Sequence, residues 1–253
     1  MNISINYQTG NVRDMANRAS RVVLLDLDGT LTESAPGILS SVRKTLEDLH
    51  QPVPDAQELN RFIGPAIMES MHRNGLRGET LERSVKLYRR YYSEIDTFDD
   101  PQQPGHLVPG CLYNSVYEGI PEQLRKLRDD GYYLAVATCK PEYQAVPVCE
   151  HFGIDAMVDA VYGASRDNSR INKDQVIRYA FENIGFDPEH GDKAVMVGDR
   201  WTDVDGAIAV GLDAIGCAWG YAEDGELKEH GAYEIIQHVD ELENAVEQYF
   251  TTH

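Results

Sequence analysis

The stretch Val22-Val23-Leu24-Leu25-Asp26-Leu27-Asp28-Gly29-Thr30 decides how the rest of the chain is read. Four branched apolar residues in a row predict a strand buried on both faces of a parallel sheet. A carboxylate placed directly after such a strand falls at its C-terminal end, the edge where open α/β sheets bind ligands. Asp28 follows two residues later, and Gly29 lets the chain turn back, so two acids share one small space.

Downstream, the periodicity is first helical and then alternating. Ile38, Val42, Leu46 and Leu49 recur at helical spacing before Pro52 and Pro54. Leu59, Phe62 and Ile63 predict a short helix broken at Gly64-Pro65, Ile67, Met68 and Met71 a third, and Leu81 to Ile95 the longest stripe. Nothing between 36 and 98 reads as a strand, and a Pro/Gly-rich linker or hinge follows, through Pro109 and Gly110. Strands are then expected at 132–138, 158–162, 194–197 and 214–218, separated by helices near 141–151, 176–184 and 202–210. A last amphipathic helix carries Leu242, Val246 and Tyr249. Such alternation predicts right-handed crossovers and an α/β fold with a doubly wound, mainly parallel sheet. The expected organisation is a leader over 1–20, a core of 21–34 plus 111–253, and an inserted all-helical module over 35–110.

Composition narrows the partners. The net charge is −19, from 42 acidic and 23 basic residues, which argues against nucleic acid and anionic membranes, both of which need clustered lysine and arginine. Residues 1–20 are polar, so neither a secretory signal nor a membrane span is expected there. Cys111, Cys139, Cys149 and Cys217 form no Cys-x-x-Cys pair, so a reduced, cytoplasmic setting is expected. A cysteine-based phosphatase needs an arginine six residues after its nucleophile. Here those positions hold Tyr117, Ala145, Asp155 and Glu223, so that mechanism is rejected. The histidines show no His-x-x-x-His pair, and there is no Gly-x-Ser-x-Gly elbow and no Walker-type loop.

Three predicted strands end in polar chemistry: Asp26 and Asp28; Thr138-Cys139-Lys140; and Gly198-Asp199, followed by Asp203 and Asp205. A parallel sheet brings all these ends to one edge, and crowded carboxylates there are costly without a divalent cation. Oxygen ligands and few histidines point to Mg²⁺. A phosphate ester suits such a site, with Lys173, the Thr138 hydroxyl and backbone amides after Asp26 to receive it. One aspartate can attack phosphorus while the other donates a proton to the leaving oxygen and later takes one from water. Asp203 has a rival role as the cap of the helix that follows it. Tyr88, Tyr91 and Tyr92 are read as packing of the helical module in preference to a base-stacking platform.

Taken together, Val22–Thr30, Thr138, Lys173 and Gly198-Asp199-x-x-x-Asp203 resemble the haloacid dehalogenase superfamily of phosphohydrolases, over about residues 21–250. Within it, Phe62-Ile63-Gly64-Pro65, Tyr117-Glu118-Gly119, Ala137-Thr138-Cys139-Lys140-Pro141 and Val197-Gly198-Asp199-Arg200 are similar to the phosphoglycolate phosphatase-like proteins. The resemblance implies a Rossmann-like core with a C1-type helical cap over 35–110. It implies Asp26 as nucleophile, Asp28 as general acid/base, Thr138 and Lys173 as phosphate-handling groups, and a Mg²⁺ site of Asp26, Asp28, Asp199 and Asp203. Leu27 and Cys139 complete the implied phosphate-binding set, and Gly64 and Pro65 the cap's substrate turn. One departure is Arg170-Ile171-Asn172-Lys173-Asp174, which lacks the Lys-Pro pairing common in the phosphoglycolate branch. Nucleoside monophosphates and sugar phosphates therefore stand beside phosphoglycolate as expected substrates, and the partner is a small phosphorylated metabolite. A sugar phosphomutase, passing the aspartyl-phosphate to a hydroxyl, and an inactive regulatory relative are the alternatives, and whether the chain is monomer or homodimer is left open.

Overall fold

The computed structural model describes residues 20–63, 67–167 and 169–253. Most of the expected leader, and the expected Gly64-Pro65 turn, lie outside them. In chain order the elements are β1 (Arg21–Leu25), α1 (Ala35–Asp48), α2 (Ala56–Asn60), α3 (Ile67–Arg73), α4 (Gly78–Ser93), β2 (Phe98–Asp99) and β3 (Leu107–Val108). There follow α5 (Ile120–Asp129), β4 (Tyr133–Pro141), α6 (Glu142–His151), β5 (Ala160–Ala164), α7 (Lys173–Ile184) and β6 (Lys193–Gly198). The chain ends with α8 (Trp201–Ile208), β7 (Ala214–Cys217), α9 (Glu226–Glu229), β8 (Glu234–Ile236) and α10 (Leu242–Thr252).

Six strands pair in the order β5-β4-β1-β6-β7-β8, and every pairing is parallel. Counting only these strands in chain order, the sheet reads 3-2-1-4-5-6, the doubly wound arrangement. The chain travels outward from β1 through β4 to β5, then returns to the other side of β1 for β6. Strand order therefore reverses beside β1, and the crevice that such a reversal opens lies at its C-terminal end. Asp26 is the residue there, and its N–H donates to the Val197 carbonyl of β6 at 2.9 Å.

Residues of β1 alternate between two cores, as the two-residue period of a strand demands. Val22 and Leu24 pack with Val176 and Ile177 of α7 and Val204 of α8. Val23 and Leu25 pack on the other face with residues of α5, α6 and α10, including Leu124, Val148 and Val246. Leu59, Phe62, Met71, Tyr88 and Tyr92 of the helical segment belong to that second cluster. The helical segment thus shares one continuous apolar cluster with the core on that side of the sheet. Where the chain leaves the sheet and where it returns, the two crossings bond to each other: Glu33 N–H donates to Ser115 O at 2.8 Å and Tyr117 N–H to Leu31 O at 3.1 Å.

Three details depart from the sequence reading. The Pro/Gly-rich linker carries an antiparallel ribbon, β2 with β3. Two-residue strands leave too little periodicity to be read in a sequence. The strand expected at 158–162 begins at Ala160, because Asp159 is engaged before it: its carboxylate accepts from Leu134 N–H and its own N–H donates to the Leu134 carbonyl. The edge strand β8 was not expected at all, since three residues bearing a glutamate give no apolar run. Among the described residues no helix is long and apolar enough to cross a membrane.

Leu24 is completely buried in the middle strand. Leu24→Ala is expected to cost about 2–5 kcal/mol of folding stability, read as a lowered urea midpoint with an unchanged denaturant slope.

Candidate active site

The edge formed by the ends of β1, β4 and β6 gathers most of the expected side chains. Asp26 ends β1. Asp199 follows Gly198 at the end of β6, and Asp203 lies in the first turn of α8. One carboxylate oxygen from each of these three residues lies within 4.8 Å of the others. Asp199 and Asp203 are fully buried.

Backbone geometry makes this packing possible. Gly29 has φ +89°, and a Cβ there would stand 2.1 Å from Asp199 Oδ2. A Cβ at Gly220 would stand 2.2 Å from Asp199 Cβ. Asp199 is therefore walled in by two backbone segments that only glycine allows so near. Its oxygens are held by the Thr30 hydroxyl, donating to Oδ1 at 3.1 Å, and by Tyr221 N–H, donating to Oδ2 at 2.8 Å.

Lys173 lies among the acids. It occupies the first position of α7, whose start is fixed by Gln175 Oε1 accepting from Ile171 and Asn172 N–H at 2.8 and 3.1 Å. Its ammonium donates to the Ala137 carbonyl at 2.7 Å and lies 2.9 Å from Asp26 Oδ1 and 2.7 Å from Asp203 Oδ1. Burial alone would lower the pKa of this lysine. The charges of Asp203 and then Asp26 outweigh burial and move it upward. The capping role weighed for Asp203 is present, since its second oxygen accepts from Arg200 N–H at 3.0 Å at the start of α8.

Burial, then the neighbouring charges of Asp203 and Asp26, push the Asp199 carboxyl well above the ordinary carboxylate range, against the opposing bonds from Tyr221 and Thr30. Asp203 is pushed up as well, by burial first and by Asp26, with Lys173 opposing. One lysine does not balance three converging carboxylates. Asp26 Oδ1 and Asp203 Oδ1 share the Lys173 ammonium as their one cationic partner. An all-oxygen set of three hard carboxylates, only partly neutralised by one lysine, fits a divalent cation such as Mg²⁺.

Asp28 stands in the loop after β1, with about a quarter of its side chain exposed. Its Oδ2 accepts from the Lys140 ammonium at 2.6 Å, and its Oδ1 has no hydrogen-bond partner. Thr138 is buried in β4, and its hydroxyl oxygen accepts from Lys140 N–H at 3.2 Å. Cys139, the next residue, is exposed. The Leu27 side chain is fully buried in the core, so only its main chain is available to a ligand. Gly64 and Pro65 lie outside the described residues.

Lys140 received no role from the sequence. A signal existed: Lys140 stands two residues after Thr138 at the end of the same strand, and both are buried while Cys139 between them is exposed. Tyr92 carried no such signal. It projects from α4, and its hydroxyl accepts from the Lys140 ammonium at 2.7 Å, joining residues 48 positions apart. Tyr221 likewise links two regions, holding Asp199 by its main chain while its hydroxyl accepts from Ala35 N–H at 2.8 Å.

Comparison with known proteins agrees with this architecture. The family model described as haloacid dehalogenase-like hydrolase matches residues 23–217. The tyrosine-protein kinase PtkA of Mycobacterium tuberculosis is 37% identical over 229 residues, covering 89% of this chain and 72% of that protein. A 5'-nucleotidase of Pseudomonas aeruginosa is 34% identical over 220 residues, covering 87% of this chain and 91% of that protein. Among solved structures, a predicted phosphatase from Clostridium acetobutylicum superposes with a TM-score of 0.75 at 37% identity, covering 91% of this chain and 99% of that one.

If the three acids hold a cation, Mg²⁺ at about a hundred times its Kd stabilises the protein by roughly 2.7 kcal/mol. Asp199→Asn is expected to lose most of that melting-temperature increment, yet to melt at or above the parent in EDTA, because it removes one of the mutually repelling charges. The sign follows from the raised carboxyl. Its folded pKa exceeds its unfolded one, so the metal-free parent loses stability as pH rises through the folded value. The EDTA difference between parent and variant should therefore shrink as pH is lowered. Equal Mg²⁺ increments in both proteins would place the cation elsewhere. From the match over residues 23–217 and the relatives' coverage, the chain belongs to the haloacid dehalogenase-like hydrolase family.

Proposed function

We propose that this hydrolase is a Mg²⁺-dependent phosphatase that cleaves a small phosphate monoester through an aspartyl-phosphate intermediate. The observation that carries the reading is the meeting of Asp26, Asp199 and Asp203 around the Lys173 ammonium, with Asp28 two residues from Asp26 on the same edge. Asp26, Asp199 and the main-chain carbonyl of Asp28 would hold Mg²⁺, with Asp203 acting through water. The ion would neutralise part of the charge on the phosphoryl oxygens.

In this reading the Asp26 carboxylate attacks phosphorus while Asp28 gives a proton to the departing oxygen. Asp28 then takes a proton from the water that releases phosphate from Asp26. Lys173 keeps the nucleophile oriented and places positive charge beside the transferring group. The Thr138 hydroxyl accepts from Lys140 N–H, which leaves its own O–H free to donate to a phosphoryl oxygen. Main-chain N–H groups after Asp26, beginning at Leu27, supply further donors. Residues 35–110 act as a cap over this edge, and the paired crossings at 31–33 and 115–117 form its hinge. The pairing of these crossings and the Tyr92–Lys140 contact support that assignment.

The substrate class is a small phosphorylated metabolite, with nucleoside monophosphates favoured by the nucleotidase relative. A second reading is phosphoryl transfer to a tyrosine hydroxyl, favoured by the name of the mycobacterial relative. It uses the same nucleophile with a different acceptor. Phosphate release should be measured across nucleotides, sugar phosphates and phosphoglycolate, with Mg²⁺ and with EDTA. Turnover should require the metal, and Asp26→Asn should lower it on the order of 10⁴-fold. Retained turnover in that variant would defeat the nucleophile assignment. Phosphotyrosine formed from ATP by the parent but not by Asp26→Asn, without net phosphate release from the panel, would favour the second reading.

A further inference from the structure

Lys140 is a nearly buried cation that the proposed chemistry does not use, and it touches three parts of the site at once. Its main-chain N–H donates to the Thr138 hydroxyl oxygen. Its ammonium donates to Asp28 Oδ2 at 2.6 Å and to the Tyr92 hydroxyl at 2.7 Å. Asp28 comes from the sheet edge, and Tyr92 from the last turn of α4. We infer that Lys140 is a positioning residue that fixes the direction of the Asp28 carboxylate and, through Tyr92, makes that direction depend on where the helical segment sits. This inference rests on the phosphatase reading above.

Three observations support a strut over a generic buried ion pair. The first is that Asp28 has no second anchor, since its other oxygen has no hydrogen-bond partner. A carboxylate at the end of a short side chain, in a loop and held at one oxygen, takes its direction from that one bond. The second is the rigidity of the far end. Tyr92 is buried and stacked on Tyr88, with ring centroids 5.4 Å apart and planes 10° apart, and its carbonyl accepts from Cys111 N–H at 2.8 Å. Tyr92 can therefore move only with α4. The third is placement: Lys140 continues the β4 strand, so its Cα is fixed to the sheet while its ammonium reaches the helical segment. A displacement of α4 from the sheet edge must break the Lys140–Tyr92 bond or drag the ammonium from Asp28.

The consequence is selective. A proton donor that is misaimed hurts esters with poor leaving groups and spares those whose leaving group departs without a proton. Tyr92→Phe removes only the hydroxyl and keeps the ring stack. Lys140→Met removes the ammonium and keeps most of the stem, and Lys140→Arg restores a donor. The substrates are p-nitrophenyl phosphate, an aryl ester, and two alkyl esters, adenosine 5'-monophosphate and glycerol 2-phosphate.

Lys140→Met should lower alkyl kcat/KM about ten- to a hundredfold more than aryl kcat/KM, with Tyr92→Phe at the low end and Lys140→Arg partly restoring the ratio. Hydrogen exchange, read without substrate, should be faster over residues 26–33 in both Lys140→Met and Tyr92→Phe. A merely structural role lowers both ester classes alike, so an unchanged alkyl-to-aryl ratio overturns the inference, as does exchange over 26–33 identical to the parent's. Failure of the parent to hydrolyse these three esters and every member of the wider panel above overturns the phosphatase reading instead. In that case the exchange measurement alone decides the strut.

Discussion

Three carboxylates brought into one buried pocket repel each other, and the rest of this site exists to tolerate that. Asp26, Asp199 and Asp203 lie within 4.8 Å by one oxygen each, where water's screening is largely removed. Lys173, at 2.9 and 2.7 Å from two of them, offsets part of the repulsion; burial first, and then the charges of Asp203 and Asp26, push the Asp199 carboxyl upward. Such a pocket is poor as a structural device, because apolar residues of similar volume would pack there at less cost. It is suited to a divalent cation and to the anionic group that the cation draws in.

The fold supplies the geometry with few parts. Strand order reverses beside β1, so its C-terminal end opens on a crevice and not on a neighbouring crossover. The β6 end delivers Asp199, one helical turn later α8 delivers Asp203, and the first residue of α7 delivers Lys173 from the same side. Each residue stands at an element boundary, where a side chain is aimed by rigid backbone on one side and free to meet a ligand on the other. Gly29 and Gly220 let main chain close on Asp199, which fixes that carboxylate before anything binds. Preorganisation of this kind removes the reorganisation that would otherwise accompany charge development in a reaction.

The helical segment is joined to the sheet in two chemically different ways. Its apolar residues enter the same cluster as Val23 and Leu25, a non-directional contact that tolerates sliding. Tyr92 and Tyr221 instead make single hydrogen bonds across the junction, and both lead back to site carboxylates, through Lys140 to Asp28 and through main chain to Asp199. Directional bonds of this sort report position in a way that apolar contact does not.

The sequence by itself determined five of the six strands of the sheet, their succession along the chain with their helices, and the acids at their ends. The two-residue and 3.6-residue periods are local, and a parallel sheet necessarily collects its C-terminal ends on one edge. Asp26, Asp28, Asp199, Asp203, Thr138 and Lys173 were legible for that reason. Elements too short to show a period, the ribbon β2–β3 and the edge strand β8, were not. Only the tertiary structure decided which groups hold those acids. Thr30 on Asp199, Lys140 on Asp28 and Tyr92 on Lys140 join positions 48 to 169 residues apart. A hydrogen bond needs a distance and an angle, and at such separations both are set by how whole elements pack, which no local pattern records.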